Sequence, residues 1–484
     1  MQSALFLKKG DSFSLFFLPM KHSLAILIIV ITTIIQLSII GKVGAGDSEA
    51  YYYSWSRSLS LSYYDHPAGI ALLIRIATEI FGHTPFALRF FSTIAINLAL
   101  LIIYWISFLH YKDNKTALFS ILFFISMPAF LIGGVSASPE PPLILFCTIS
   151  LLFFYLYYTT EASGYLILSS LFAGIAFNFK YSALFLVIVY LIILNTSRKS
   201  NKKTNLILLS IIFVSMLPVI IWNILHRGAS FEYHLINRLS LRHIPLNFLK
   251  LIVGQLLYFN PILITFTAYI TFKIREIDLY TKMFVILFGL SALIMLMIRD
   301  SEPHWSSLAY IPAAILLARE LRIHRGIMLS SILLNATLFS LFLIHIFTPI
   351  FSDGILRNQN PKYDITNELF GWEAVGENVE YIISQKNLSP DEVLLASNHY
   401  TMSAQLMLST KGRYRTICRG ARCNQFKIDD IENTDKYKLI IFVTDNRFTK
   451  IPDFFKRGSI EQKLKIYRDE RVIREFHIFI KDNK

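Results

Sequence analysis

Apolar runs long enough to cross a bilayer recur along this chain, and they decide its class first. A hydrocarbon core needs roughly 20 apolar residues in one helix. Such runs stand at about 23–40, 92–109, 116–135, 143–159, 165–179, 182–195, 205–224, 248–271, 283–298, 305–318 and 327–347. The pattern predicts a multi-pass α-helical membrane protein of about eleven spans. Only 17% of the 484 residues are charged and 54% are hydrophobic, against roughly 25% charged in soluble domains. The formal charge is +14. Much of the Lys and Arg lies in short loops between apolar runs, as cytoplasmic loops beside anionic lipid require, so nucleic acid is not the expected partner.

The first run follows Lys8, Lys9 and Lys21 and is long, and Gly41-Lys42-Val43 is not a small-residue cleavage site. It is expected to be an uncleaved anchor. The loop Arg198-Lys199-Ser200-Asn201-Lys202-Lys203 marks the cytoplasm, and Lys273 to Lys282 and Arg319 to Arg325 agree with it. Counting outward places the N-terminus inside. Segments 41–91, 136–142, 225–247 and 299–304, and everything after about 348, then lie outside. Residues 67–81 keep apolar positions on one face, with Arg75 and Glu79 four apart, which predicts an amphipathic helix on the membrane surface. The expected division is a transmembrane catalytic part over 1–350 and a small α/β extracytoplasmic domain over 354–484. In the latter, strand-like runs 393–396, 439–443 and 476–480 alternate with helical stretches such as 371–386. Cys418 and Cys423 would form a disulfide if the tail faces an oxidising compartment. Cys147, in an apolar run, reads as an inert core residue.

Acids at the ends of membrane spans are costly and point to chemistry. Three clusters fall on the outside: Asp47-Ser48-Glu49-Ala50-Tyr51-Tyr52, Tyr63-Tyr64-Asp65-His66-Pro67 and Ser138-Pro139-Glu140-Pro141-Pro142. Such acids suit general-base work at a membrane surface. Arg89, Lys180, Arg299 and His304 join them there, and cations at that depth would hold a lipid phosphate. Each has a plainer reading. Asp47 and Glu49 fit solvated loop acids, Arg89 and Lys180 snorkelling anchors, His66 and His304 interfacial hydrogen-bonding groups, and Glu140 a helix start after Pro139. The argument rests on their co-location.

The order of these motifs resembles the GT-C glycosyltransferases of the bacterial protein-mannosyltransferase-like family, which includes the aminoarabinose transferase of lipid A. Asp47-Ser48-Glu49 is similar to the family's acidic motif after the first span, which is commonly an adjacent Asp-Glu pair. Tyr64-Asp65-His66-Pro67 is similar to its Tyr-Asp-His-Pro-Pro, with Ala68 replacing the second proline. Ser138-Pro139-Glu140-Pro141-Pro142-Leu143 resembles its Thr-Pro-Asp-x-Pro-Leu loop. Arg89, Phe179-Lys180-Tyr181, Pro303-His304-Trp305 and Gly371-Trp372-Glu373 match further family positions. The resemblance implies inverting transfer of a sugar from a polyprenyl-phosphate donor to an envelope acceptor such as lipid A or lipopolysaccharide, at the periplasmic face of a bacterial inner membrane. It implies Asp47 as base with Glu49 the alternative, Glu140 orienting the acceptor or the base, and Lys180, Arg89 and His304 on the phosphate. Asp65 and His66 would shape the site. Asp65 aligns with an acid that is a metal ligand in the aminoarabinose enzyme, which leaves room for a divalent metal. Transfer to protein and a multi-pass transporter are the competing readings; no broken paired repeat supports the transporter.

Overall fold

The computed structural model describes residues 22–199, 201–239, 244–273, 278–299, 301–350, 360–430, 434–468 and 470–483. Lys8, Lys9, Lys21, Ser200 and Asp300 lie outside the described residues. The chain is a multi-pass helical membrane protein. Helices α1 (Ser23–Ile39), α2 (Asp47–Arg57), α3 (Gly69–Phe81) and α4 (Pro85–Tyr111) open it. Then come α5 (Asn114–Ile125), α6 (Pro128–Val135), α7 (Glu140–Thr160), α8 (Ser163–Phe177), α9 (Ala183–Thr196) and α10 (Lys202–Leu225). After the short α11 (Ala229–Glu232) follow α12 (Ile244–Phe259), α13 (Pro261–Lys273), α14 (Leu279–Met297), α15 (Tyr310–Ile323) and α16 (Arg325–Phe347).

Two expected straight spans are broken. Residues 116–135 divide into α5 and α6, bent by 71°, and 248–271 into α12 and α13, bent by 110°. Pro128 and Pro261 supply the breaks, because proline has no N–H to continue a helix. Carbonyls freed inside a membrane need partners, and Asn260 supplies one to Ser126 at the first break. It takes a positive φ of 73° between α12 and α13, and its Nδ2 donates to Ser126 O and Ser331 O at 2.9 Å each. The expected span 305–318 also differs: Pro303–Ala309 is a 3-10 turn, and the α-helix begins at Tyr310. Among the described residues, five helices are long and apolar enough to span alone, or up to seven if each bent pair is one span.

The helices share two ends. At one, Arg322 pairs with Asp113 and Lys199 with Glu161. At the other lie the three acidic clusters and α3. That helix buries Ile70, Ala71, Ile74 and Ala77, leaves Leu72, Ile76 and Ile80 exposed at a four-residue spacing, and carries the Arg75–Glu79 pair at 2.9 Å. Its start approaches α8 closely: Gly69 N donates to Asn178 O at 2.8 Å, and a Cβ on Gly69 would collide with the Phe179 ring.

The tail holds a five-stranded sheet: β1 (Val393–His399), β2 (Arg415–Arg422), β3 (Leu439–Asp445), β4 (Ile460–Arg468) and β5 (Arg471–Asp482), in the order β2-β1-β3-β5-β4. β1 runs parallel to β2 and β3; β5 is antiparallel to β3 and β4. The runs at 393–396, 439–443 and 476–480 lie in its three central strands. Their alternation feeds a core with Trp372, Val375, Leu395, Ile441 and Ile478. The carboxyl ends of β1, β2 and β3, where parallel sheets place ligands, carry His399, Arg422 and Asp445.

Candidate active site

The site begins with how α2 is held. Its first turn follows Gly46, and the Glu49 side chain turns back to accept from Gly46 N at 2.7 Å. Glu49 also accepts from Ala137 N at 2.7 Å and from Arg89 Nε and Nη2 at 2.8 and 2.6 Å. All four lone-pair positions of the carboxylate are thus filled. Arg89 is 3% exposed and spends its other donors on backbone: Nη1 on Ile40 O and Val43 O, Nη2 on Gly44 O. A guanidinium has five N–H groups, and Arg89 uses five. The pair clamps the end of α1, the start of α2 and the loop before α7. The expected roles, Arg89 on a phosphate and Glu49 as an alternative base, would each require one of these hydrogen bonds to be given up.

Asp47 is different. Its Oδ2 accepts from Arg447 Nη1 at 2.9 Å and its Oδ1 from Gln405 Nε2 at 3.1 Å, so two lone pairs stay open. Both partners come from the tail. Arg447 is braced by Asp445 at 2.8 Å, and Asp445 also takes Arg474 at 2.6 Å. Burial pushes the Asp445 carboxyl upward, but Arg474 and Arg447 outweigh it and hold it below the usual range. Glu368 sits beside Asp47; burial and the Asp47 charge raise its carboxyl to about 7.

One turn along α2, Tyr51 donates to Asp65 Oδ2 at 2.7 Å. Asn424 Nδ2 reaches Asp65 Oδ1 at 3.2 Å, and His234 Nε2 contacts the Asp65 carbonyl at 2.8 Å. Burial raises the Asp65 carboxyl against the opposing pull of Tyr51 and Asn424. Burial and the charge of Lys180 push the His66 imidazole well below its usual range, and among the described residues its buried Nδ1 has no hydrogen-bond partner. Beyond it, Glu140 at the start of α7 pairs with Lys180 and lies 3.0 Å from His304 Nε2. Trp305 is flanked by two cations, Lys180 Nζ at 5.8 Å and the Arg238 guanidinium at 4.9 Å from its ring centre. Glu140 and Lys180 both act electrostatically on His66, and Asp47 and Asp65 both act on Tyr400. The three clusters therefore lie within electrostatic reach of one another. Arg299 has an exposed side chain, and its backbone N–H donates to Arg238 O at 2.7 Å.

Residue type and spacing did not single out Gln405, Arg447, Glu368, Asn424, His234 or Arg238. Arg447 and Asp445 could have been found from their place just past a strand's carboxyl end. His234 and Arg238 could have been found as charges in a short segment between spans. Cys418 and Cys423 are disulfide-bonded, directly before Asn424.

Among the described residues, no group of three His, Cys, Asp or Glu side chains gathers around Asp65 to hold a metal ion.

Residues 65–222 match the family model described as dolichyl-phosphate-mannose-protein mannosyltransferase. Over 189 residues, 38% of this chain, the sequence is 25% identical to lipid A galacturonosyltransferase RgtD of Rhizobium johnstonii. Over 118 residues, 24% of this chain, it is 30% identical to the undecaprenyl phosphate-alpha-4-amino-4-deoxy-L-arabinose arabinosyl transferase of Yersinia enterocolitica. These matches span 40% and 21% of the two relatives' own lengths. The crystal structure of ArnT from Cupriavidus metallidurans superposes with a TM-score of 0.62 at 14% identity, covering 94% of this chain and 97% of that one. The chain has the GT-C glycosyltransferase fold and is similar to the aminoarabinose transferases. The family model takes in the Asp65, Lys180 and Glu140 clusters of this GT-C chain but stops short of the tail that meets Asp47.

Proposed function

We propose that this GT-C chain transfers a sugar, with inversion, from a polyprenyl-phosphate donor to a glycolipid acceptor at the periplasmic surface of a bacterial inner membrane. The observation that carries the reading is the contrast between Asp47 and Glu49. Two acids stand two residues apart, and only Asp47 keeps lone pairs for an acceptor proton. The donor phosphate takes the place of Glu140 as counter-ion to Lys180, with Arg238 and His304 beside it. The acceptor hydroxyl attacks the anomeric carbon from the face opposite the phosphate and gives its proton to Asp47. The carbon–oxygen bond breaks and its electron pair leaves with the phosphate, whose charge the cations neutralise. His66 Nδ1 offers its unused nitrogen to a sugar hydroxyl, and Asp65 fixes the loop that carries it. The relatives' names, the structural likeness to ArnT, which has been crystallised with undecaprenyl phosphate, and the tail disulfide support the donor class and the side.

The test is transfer of radiolabel from polyprenyl-phosphate sugars into envelope lipid by purified protein in lipid. Asp47→Asn should lower turnover by about 10²–10⁴-fold, the usual contribution of a general base, in protein that still melts cooperatively although it has lost the Arg447 ion pair. Transfer at the normal rate in Asp47→Asn would remove Asp47 from the mechanism. The family model's description favours a second acceptor, a protein hydroxyl, and label in protein instead of extracted lipid would select it.

A further inference from the structure

Away from the Asp47–Lys180 surface, a cavity of about 410 Å³ lies where the far end of α2 meets the tail. Ser54, Arg57 and Ser58 form one wall, and Arg413, Arg415 and Asp429 stand on the other. Three arginines thus line one space. Arg415 is anchored to the Asp429 carbonyl and Arg413 to Glu380 at 3.2 Å. Among the described residues, no hydrogen bond or ion pair engages Arg57. The tail turn at Gly412 comes so close that a Cβ there would lie 2.8 Å from Arg57 Nε, and Gly412 has a φ of 65°, a conformation glycine adopts freely. The turn therefore holds Arg57 in the cleft wall. Asp429, the one carboxyl in the cleft lining among the described residues, accepts from Gln425 at 3.0 Å, and burial pushes it above the usual range against the pull of Arg415. With Glu380 on Arg413 and Asp429 against Arg415, Arg57 is the cation in excess.

Its surroundings limit what can bring a negative charge there. Leu59 and Leu61, immediately after Ser58, are 51% and 47% exposed. The neighbouring α3 exposes Leu72, Ile76 and Ile80. Apolar side chains open to the outside beside a cationic cleft match an amphiphile with an anionic head at the membrane surface. The rise of α2 is about 1.5 Å per residue, so Arg57 stands roughly 15 Å from Asp47, about the span of two to three sugar rings.

We infer that the cleft between Arg57, Arg413 and Arg415 is an acceptor subsite that binds a phosphate group of a phosphorylated glycolipid and sets which acceptor hydroxyl reaches Asp47. This rests on the acceptor class proposed above, so its test reads binding and not transfer. Full-length protein in neutral phosphatidylcholine nanodiscs would be titrated with lipid A, with the same lipid A after phosphatase treatment, and with phosphatidylglycerol. Polyprenyl phosphate would report the donor site in the same samples. Arg57→Gln and Arg413→Gln should each weaken phosphorylated lipid A by about tenfold, equivalent to about 1.4 kcal/mol, and leave the phosphatase-treated lipid and polyprenyl phosphate unchanged. Arg57→Lys should recover part of the loss. Equal binding of lipid A by wild type and both Gln variants would overturn the inference. Phosphatidylglycerol competing as well as lipid A would also overturn it, making the cleft a general headgroup site. A protein that binds lipid A through these arginines yet transfers no sugar would refute the enzymatic reading and leave the subsite standing.

Discussion

Arg89→Lys separates a clamp from a phosphate ligand, because it keeps the charge and loses the fork. Arg89 donates five hydrogen bonds, two to Glu49 and three to the carbonyls of Ile40, Val43 and Gly44. An ammonium has three N–H groups, so at least two of these acceptors lose their donor in a site that is 3% exposed at Arg89 and 5% at Glu49. Hydrogen bonds involving charged groups contribute roughly 1.5–3 kcal/mol each, so the substitution should cost about 3 kcal/mol or more. Arg89→Ala should reach the 3–5 kcal/mol, roughly, of breaking a buried ion pair. The assay is thermal unfolding in nanodiscs, with polyprenyl-phosphate affinity measured on the same samples well below the melting range. A clear drop in Tm with donor affinity retained is the expected result. Arg89→Lys that melts like wild type but no longer binds polyprenyl phosphate would show that Arg89 faces the donor, and would refute the reasoning from its filled donors.

Two further outcomes follow from the tail. The Glu368 carboxyl is held at about 7 in the folded chain against an ordinary 4.5. Between these values the unfolded chain loses a proton that the folded chain keeps, so the folded state loses stability as pH rises from 4.5 and the loss is complete above 7. Glu368→Gln should flatten that decline in melts taken from pH 5 to pH 8, and a decline of unchanged size would refute the assignment. Cys418→Ser with Cys423→Ser frees the turn whose Gln425 N–H donates to Tyr51 Oη at 2.9 Å; hydrogen exchange at Gln425 should speed up by about tenfold, a loss of roughly 1.4 kcal/mol of local stability, and unchanged exchange would show that the disulfide does not brace it.

Much of the architecture was legible because bilayer thickness and strand periodicity are written into local sequence. The apolar runs mark the helices, and the strand-like runs around 393–396, 439–443 and 476–480 lie in the sheet. The breaks at Ser126-Met127 and Asn260 were less legible, although Pro128 and Pro261 signal them. Apolar composition runs through both, and what stabilises them is a contact between Asn260 and Ser126, 134 residues apart. The acidic clusters could likewise be listed but not ranked. Asp47 and Glu49 look alike in sequence. They are distinguished by who reaches them: Arg89 and Ala137 for Glu49, and tail residues some 360 to 400 positions away for Asp47. No local pattern carries that information.

The same distances explain why the site is built from two parts. Asp47 stands at the first residue of α2. Beneath it, the Glu49–Arg89 clamp fixes α2 to the membrane helices; above it, Gln405 and Arg447 fix its carboxylate to the sheet. The Lys180, Glu140 and His304 cluster, which the proposed function assigns to the donor phosphate, belongs wholly to the membrane helices and their loops. The surface facing Asp47 belongs to the tail, whose sequence can change without disturbing that cluster. A substitution at Gln405 or Arg447 should therefore alter the acceptor that Asp47 can deprotonate while sparing donor binding, and one at Lys180 should do the reverse.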